Sequence, residues 1–344
     1  MTRREMLVAA MGCALVPGSG MAAPRRPDLW IMPPPWPGDG RCLWEMVTRE
    51  SEWREARKLI AGIGYWPWLL NQHFTDERLR TIFQRIRAWG TGFGLEGPVY
   101  KGPNWGYDSQ PLDARSAFEQ NLTFIRRFER AGMPPVRWFA FDEPVYAARH
   151  VAPRDADAAE RLRHGAQETA RFVTLMRGAF PKARLGDVEP YPALTVEEIT
   201  GAVTAVQSIC RNERVRGLDF VRLDVDWWLF ASGNGSWEGV RRIEDFCRRN
   251  RLAFSLIYWA SNEPRLPSPE RSNPLVWRDA VVRQAEEYAR AGGRPDQTVL
   301  ESWLHVPQHA VPETDPTTFT ASLIALHQAL GRFAPARPTM RRSP

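Results

Sequence analysis

The chain has 344 residues, 43% of them hydrophobic, with 46 lysines and arginines against 40 aspartates and glutamates and a formal charge of +6. That composition can bury a large core and fits one large domain or two ordinary ones, and no run approaches the roughly 18 consecutive apolar residues of a membrane-spanning helix. The cationic surplus is spread through helix-spaced arginines, with no basic block interleaved with aromatics, which argues against a nucleic-acid partner.

The first segment, MTRREMLVAAMGCALVPGSGMAAP, sets Arg3 and Arg4 before an apolar run from Leu7 to Val16 and ends in the small residues Ala22 and Ala23. A charged head, an apolar middle and a small-residue exit predict a secretory signal over residues 1 to 23, of the twin-arginine type, and hence a periplasmic or extracellular protein. Cys13 follows Gly12 as in a lipoprotein, but no leucine stands three residues before it. The remaining cysteines, Cys42, Cys210 and Cys247, allow one disulfide at most and lack metal-finger spacing.

From residue 24 to 344 a single domain is expected. After the Pro-rich IMPPPWPGDG, short apolar runs alternate with longer amphipathic ones. Strand candidates are LWIM near 29, IGYWPWLL near 63, TGFGLEG near 91, VRWFAFDEP near 136, ARLGDVEP near 183, LDFVRLDVDWW near 218, LAFSLIYW near 252 and TVLESWLH near 298. Helix candidates fall near 51 to 60, 75 to 89, 112 to 131, 154 to 179, 195 to 210, 236 to 250, 275 to 291 and 315 to 331. Several open on cap signals, at Thr75, Thr195, Ser236 and Asp315-Pro316. Strict alternation of eight strands with eight helices predicts an α/β fold, a single (β/α)8 TIM barrel. An open doubly wound sheet is the competitor, and no GxGxxG follows the first strand.

Barrels of this kind carry their sites on the loops at the C-terminal ends of the strands. In order, those ends offer Trp36; Trp66, Trp68 and Asn71; Glu96 and Tyr100; Asp142 and Glu143; Asp187, Glu189 and Tyr191; Asp224, Asp226, Trp227 and Trp228; Tyr258, Trp259 and Glu263; and Glu301, Trp303 and His305. Single acids among these have structural readings, as loop caps or buried ion partners, such as Glu301 with Arg222. Together they put acids and indoles on one rim, and an indole offers the flat apolar face on which a sugar ring can stack. Paired carboxylates beside such faces suit glycosidic chemistry: one protonates the leaving oxygen while the other attacks or activates water.

Over roughly the whole mature chain, these features resemble the secreted TIM-barrel glycoside hydrolases. The resemblance is carried by FDEP, residues 141 to 144, and by LDVDWW, residues 223 to 228. In the clan whose acid/base lies in an Asn-Glu-Pro at the end of strand four, Glu143 matches the glutamate, while Asp142 stands where the family has Asn. That clan places its nucleophile at the end of strand seven, where only Glu263 is available, several residues past the strand. LDVDWW also looks like the DxDxE of chitinase-type barrels, with Trp228 in place of the catalytic Glu and on a different strand.

The alternation of side chains along a strand sets further expectations. Arg222, Asp224 and Asp226 should share an inward face, with Arg222 one layer deeper neutralising the two aspartates. Phe139 and Phe141 should share the face of Glu143, giving it an apolar surrounding that suits a general acid, with Asp226 as its ionised partner and Glu189 as second choice. Around Glu143, Asp226, Asp224 and Glu189 as catalytic candidates, substrate contacts are expected from Trp36, Trp66, Trp68, Glu96, Asp142, Tyr191, Trp228, Trp259, Glu301, Trp303 and His305. Two other readings remain open. Glu189, Asp224, Glu301 and His305 could hold a divalent metal, as in sugar-isomerase-type barrels, or the aromatics could serve a carbohydrate-binding barrel without turnover. A monomer with a carbohydrate substrate, no cofactor and no resident metal is the principal expectation.

Overall fold

The computed structural model describes residues 27–35, 39–99, 113–151, 157–260 and 272–332. Arg3, Arg4, Cys13, Trp36, Tyr100 and Glu263 lie outside the described residues. Eight parallel strands close into a barrel in chain order: β1 (Asp28–Met32), β2 (Gly62–Tyr65), β3 (Gly92–Pro98), β4 (Val136–Asp142), β5 (Arg184–Tyr191), β6 (Phe220–Val225), β7 (Ala253–Tyr258) and β8 (Gln297–Glu301). Every strand read from the sequence is present, and β8 pairs with β1 to complete the ring. The fold is a single (β/α)8 barrel.

The helices are α1 (Arg41–Thr48), α2 (Arg54–Arg57), α3 (Pro67–His73), α4 (Asp76–Trp89), α5 (Ala114–Arg130), α6 (Pro144–Val151), α7 (Ala158–Ala179), α8 (Val196–Asn212), α9 (Trp227–Leu229), α10 (Trp237–Arg249), α11 (Pro274–Arg290) and α12 (Phe319–Arg332). Among the described residues, no helix is long and apolar enough to cross a membrane. The cap signals at Thr75, Thr195 and Ser236 work as expected. Thr75 accepts from the Arg78 amide, Ser236 accepts from the Gly239 amide, and Thr195 and Glu198 form a reciprocal capping box. Each cap stabilises its helix by about 1 kcal/mol.

Two predicted helices differ. The segment near 51 is a 3-10 turn, Glu50–Trp53, running into the short α2, and α1 precedes it unread. Helix α1 opens on Gly40 in a left-handed conformation with no side-chain cap, so the usual start signal is missing. Helix α12 begins at Phe319 because the Asp315 carboxylate turns onto the amide and hydroxyl of Thr317 and forms a separate turn. Cys42, Cys210 and Cys247 are all buried free thiols, so none of the three is joined to another.

Alternation along the strands sorts the interior from the helix layer. Trp30, Trp138 and Phe220 fill the barrel, and neighbouring strands answer them with Gly62, Gly64, Gly92, Gly94 and Gly186, where a Cβ would collide with one of those rings. On the opposite face of β4, Phe139 and Phe141 pack outward on Phe172 of α7, with ring centroids 6.3 and 5.0 Å away.

Asp187 is paired with Phe141 across β4 and β5 and shares that outward face. It is fully buried, neither carboxyl oxygen has a hydrogen-bond partner among the described residues, and burial pushes its pKa up to about 8. A carboxyl raised from about 4 in the unfolded chain binds its proton more tightly when folded, so its contribution to stability is full at low pH and is lost as pH rises through about 8. Asp187→Asn is therefore expected to gain stability over the parent at pH 9 and to match it more closely at pH 5. Urea melts at the two pH values test this, and an equal change at both would contradict it.

Candidate active site

The deepest charged layer belongs to Arg222, which is 0% exposed and lies 4.2 Å from the Trp138 ring centre. Its Nη1 donates to Glu96 Oε2 at 2.9 Å, its Nη2 to Gln297 Oε1 at 2.8 Å and its Nε to Ser255 Oγ at 3.2 Å. The guanidinium is thus spent on the β3 glutamate and two polar neighbours. This corrects the expectation that Arg222 neutralises Asp224 and Asp226. Ser255 and Gln297 were not singled out from the sequence, although both are polar residues in the inward phase of their strands.

Above this layer Asp224 and Glu301 face the same space as Glu96 and Asp142, and of these Glu96, Asp142 and Glu301 are buried. Burial, followed by the charges of Glu96 and Asp224, raises Glu301 well above the usual glutamate range, with Arg222 opposing and Asp142 adding to the rise. Its Oε2 is buried and takes no hydrogen bond from any described residue. Asp224 is raised well above the usual aspartate range by burial first and then by the charge of Glu143, with Glu96 and Asp226 adding to the rise. The Trp259 indole N–H donates to Asp224 Oδ1 and opposes that rise. Trp259 packs in turn against Trp303, centroids 4.9 Å apart, and Trp303 is 45% exposed. An acid with a raised pKa, the buried indole bonded to it and the exposed indole packed on that one form a continuous chain of contacts.

Glu143 stands just past β4 with a left-handed backbone, φ 49°, which is uncommon for a non-glycine residue. The strand ends at Asp142, so the turn breaks the alternation that would have set Glu143 beside Phe139 and Phe141. Those rings belong to the helix layer, and the expected apolar setting of Glu143 is corrected accordingly.

Several other sequence-read residues have structural employment. Asp226 follows the end of β6, and its Oδ1 accepts from the Trp228 and Leu229 amides, both at 3.1 Å, capping α9. Glu189 lies outside the barrel wall, fully buried, accepting from the Val145 amide at 2.7 Å and the Tyr146 amide at 3.0 Å. Tyr191 shares that outward face, and its hydroxyl accepts from Ser236 N and donates to Ser236 O ahead of α10. Tyr258 alternates with Trp259 and is buried with the helix layer. Trp66 is buried edge-on against Tyr65, while Trp68 in α3 and Trp228 in α9 are half-buried. Trp227 stacks on Phe230, and Asn71 accepts from Arg127.

The metal quartet is not assembled as read. Glu189 is outside the wall, Asp224 and Glu301 are inside it, and His305 is exposed in a turn after β8, where Ser302 Oγ donates to Val306 O. Among the described residues no three His, Cys, Asp or Glu side chains are grouped as a metal site.

Asp226→Asn keeps an acceptor for the two α9 amides and is expected to leave stability within about 0.5 kcal/mol of the parent, whereas Asp226→Ala loses the cap and should cost about 1 kcal/mol. Urea melts of the two variants separate these outcomes.

The fold is a (β/α)8 TIM barrel with an acid-lined mouth. Its likeness to solved structures is of that kind: a thermostable mutant of a xylanase from Cellvibrio japonicus matches with a TM-score of 0.53 and 14% identity, covering 88% of this chain and 97% of that one. Xylanase XynB from Paenibacillus barcinonensis matches with a TM-score of 0.53 and 11% identity over 87% of this chain and 95% of that one. An intracellular xylanase from Thermoanaerobacterium saccharolyticum matches with a TM-score of 0.51 and 10% identity over 88% and 95% of the respective chains. At these identities the likeness establishes the fold. No protein-family profile and no curated protein sequence matches the chain.

Proposed function

We propose that the protein is a glycoside hydrolase or transglycosidase acting on a polysaccharide or oligosaccharide. The observation that carries this reading is Asp224: an acid whose pKa is raised by burial and by the charge of Glu143, bonded to the Trp259 indole, which packs against the exposed Trp303. A sugar ring stacked on Trp303 presents its glycosidic oxygen to a group that keeps its proton to higher pH than an ordinary aspartate. Asp224 gives that proton to the leaving oxygen as the bond to the anomeric carbon breaks. Glu143 attacks that carbon or takes a proton from the water that does. This division reverses the one read from the sequence, in which Glu143 was the acid, and it replaces Asp226 and Glu189 as partners because Asp226 Oδ1 and both oxygens of Glu189 accept from helix amides.

Screening the purified chain against neutral, acidic and amino polysaccharides and against aryl glycosides tests the reading. Release of new reducing ends is expected. Binding without release would support a carbohydrate-binding barrel instead, and neither binding nor release would defeat both.

Export belongs to the same proposal. The twin arginine and small-residue exit imply that protein recovered from its native host begins near residue 22 to 24. N-terminal sequencing decides this, and an intact Met1 would contradict it.

A further inference from the structure

We infer that Glu189 is a positioning residue for Glu143, fixing from outside the barrel wall the turn that brings Glu143 to the mouth. The inference rests on the glycosidic role proposed for Glu143. The geometry begins with that residue's left-handed backbone, a strained conformation for a non-glycine residue that persists only when its surroundings over-determine it. The surroundings come from two consecutive residues of β5. The Glu143 amide donates to the Val188 carbonyl at 2.9 Å. After Pro144, which has no amide hydrogen to offer, the Val145 and Tyr146 amides donate to the two oxygens of Glu189 at 2.7 and 3.0 Å. One carboxylate therefore takes both free amides of the first turn of α6, and the Glu143 carbonyl closes that turn by accepting from Ala147 at 2.8 Å.

The placement of Glu189 keeps it away from a substrate. It is 0% exposed on the outward face of β5, two residues beyond the equally buried Asp187. Burial and Asp187 drive its pKa up, while the two amides work against the rise. The charge of Glu143 contributes to the rise of both Glu189 and Asp224, so the Glu143 carboxylate is within electrostatic reach of the clamp behind it and the acid in front. On its other side α6 is hemmed in by Gly165 of α7, where a Cβ would stand 2.8 Å from Ala148 Cβ and 3.5 Å from Val145 Cα. The seat of α6 thus has little slack, and a misplacement of about 1 Å in a reacting group can cost about 10²-fold in rate.

Glu189→Gln tests the inference, because glutamine keeps one acceptor but turns an NH2 group toward the second amide. With kcat and KM measured separately, kcat is expected to fall about 10- to 100-fold with KM within about threefold. In parallel, the Asp224 carboxyl is titrated by carbon NMR on selectively labelled protein, where the groups acting on it are Glu143, Glu96, Asp226 and the Trp259 indole. Its midpoint is expected to fall in Glu189→Gln as the Glu143 charge moves away. A folded Glu189→Gln protein with the parent kcat and an unchanged Asp224 midpoint would overturn the inference. If that variant does not fold, Gly165→Ala presses on α6 from the other side, and the same pair of changes is expected; their absence would also overturn it. A parent protein without turnover would defeat the glycosidase reading alone, since the Asp224 titration still decides whether Glu189 holds Glu143 in place.

Discussion

Replacing Asp224 with Asn is expected to lower kcat/KM on a glycan with a poor leaving group by about 10²–10⁴-fold, while an aryl glycoside with an activated leaving group loses less than about tenfold. The asymmetry follows from the role: only a poor leaving group needs the proton. Asp224 can supply it because burial and the charge of Glu143 hold its pKa well above the usual aspartate range. The pH dependence has the corresponding sign, with activity kept to higher pH than an ordinary aspartate would allow and lost as pH rises through the elevated pKa. Glu143→Gln is expected to lose on both substrates, since attack or water activation is needed whatever the leaving group. The opposite pattern, with Glu143→Gln sparing the aryl glycoside and Asp224→Asn not, would restore the division read from the sequence.

Arg222→Met is expected to destabilise the barrel by about 3–5 kcal/mol, because it leaves the buried Glu96 without its cation. Coulombic attraction is only part of what is lost. Gln297 and Ser255 lose a donor, and Trp138 loses the guanidinium lying on its face. Adding Glu96→Leu should recover part of the loss by removing the stranded carboxylate, which distinguishes a broken ion pair from general damage to packing. Denaturant melts measure both effects. Arg222 also opposes the rise of Glu301, so in any folded Arg222→Met protein the Glu301 titration should move further upward. From the sequence Arg222 was expected to act instead as the neutralising charge beneath Asp224 and Asp226. A loss below about 1 kcal/mol would contradict the buried-pair account.

The barrel was legible because its determinants are local and repeated. Each strand run is short and apolar, and caps at Thr75, Thr195 and Ser236 open their helices where the sequence marks them. Helix α1 was missed because Gly40 supplies no capping side chain. Within the site, alternation correctly put Arg222 and Asp224 inside, and it failed wherever a strand stopped. Asp226 and Glu143 both stand one residue past a strand end, where the backbone turns and period two no longer applies. His305 failed for the same reason. Glu189 is a different case, since it lies within β5 but on the outward face. The phase of β5 could have been inferred from Gly186, whose lack of a side chain matches the ring of Phe220 inside the barrel. The partner of Arg222 was not legible at all, because nothing in sequence spacing brings Glu96 of β3 to Arg222 of β6 until the sheet closes.

Hydrolysis in water enriched in oxygen-18 tests the central claim most directly, once a glycan has been found by screening. Mass spectrometry of the products is expected to show one labelled oxygen at each new anomeric end with the parent protein, and incorporation reduced at least about 10²-fold with Glu143→Gln and Asp224→Asn. Hydrolysis that places the label on the leaving-group oxygen instead of the anomeric carbon, or turnover that survives both substitutions, would contradict glycosidic chemistry by the acids at this mouth.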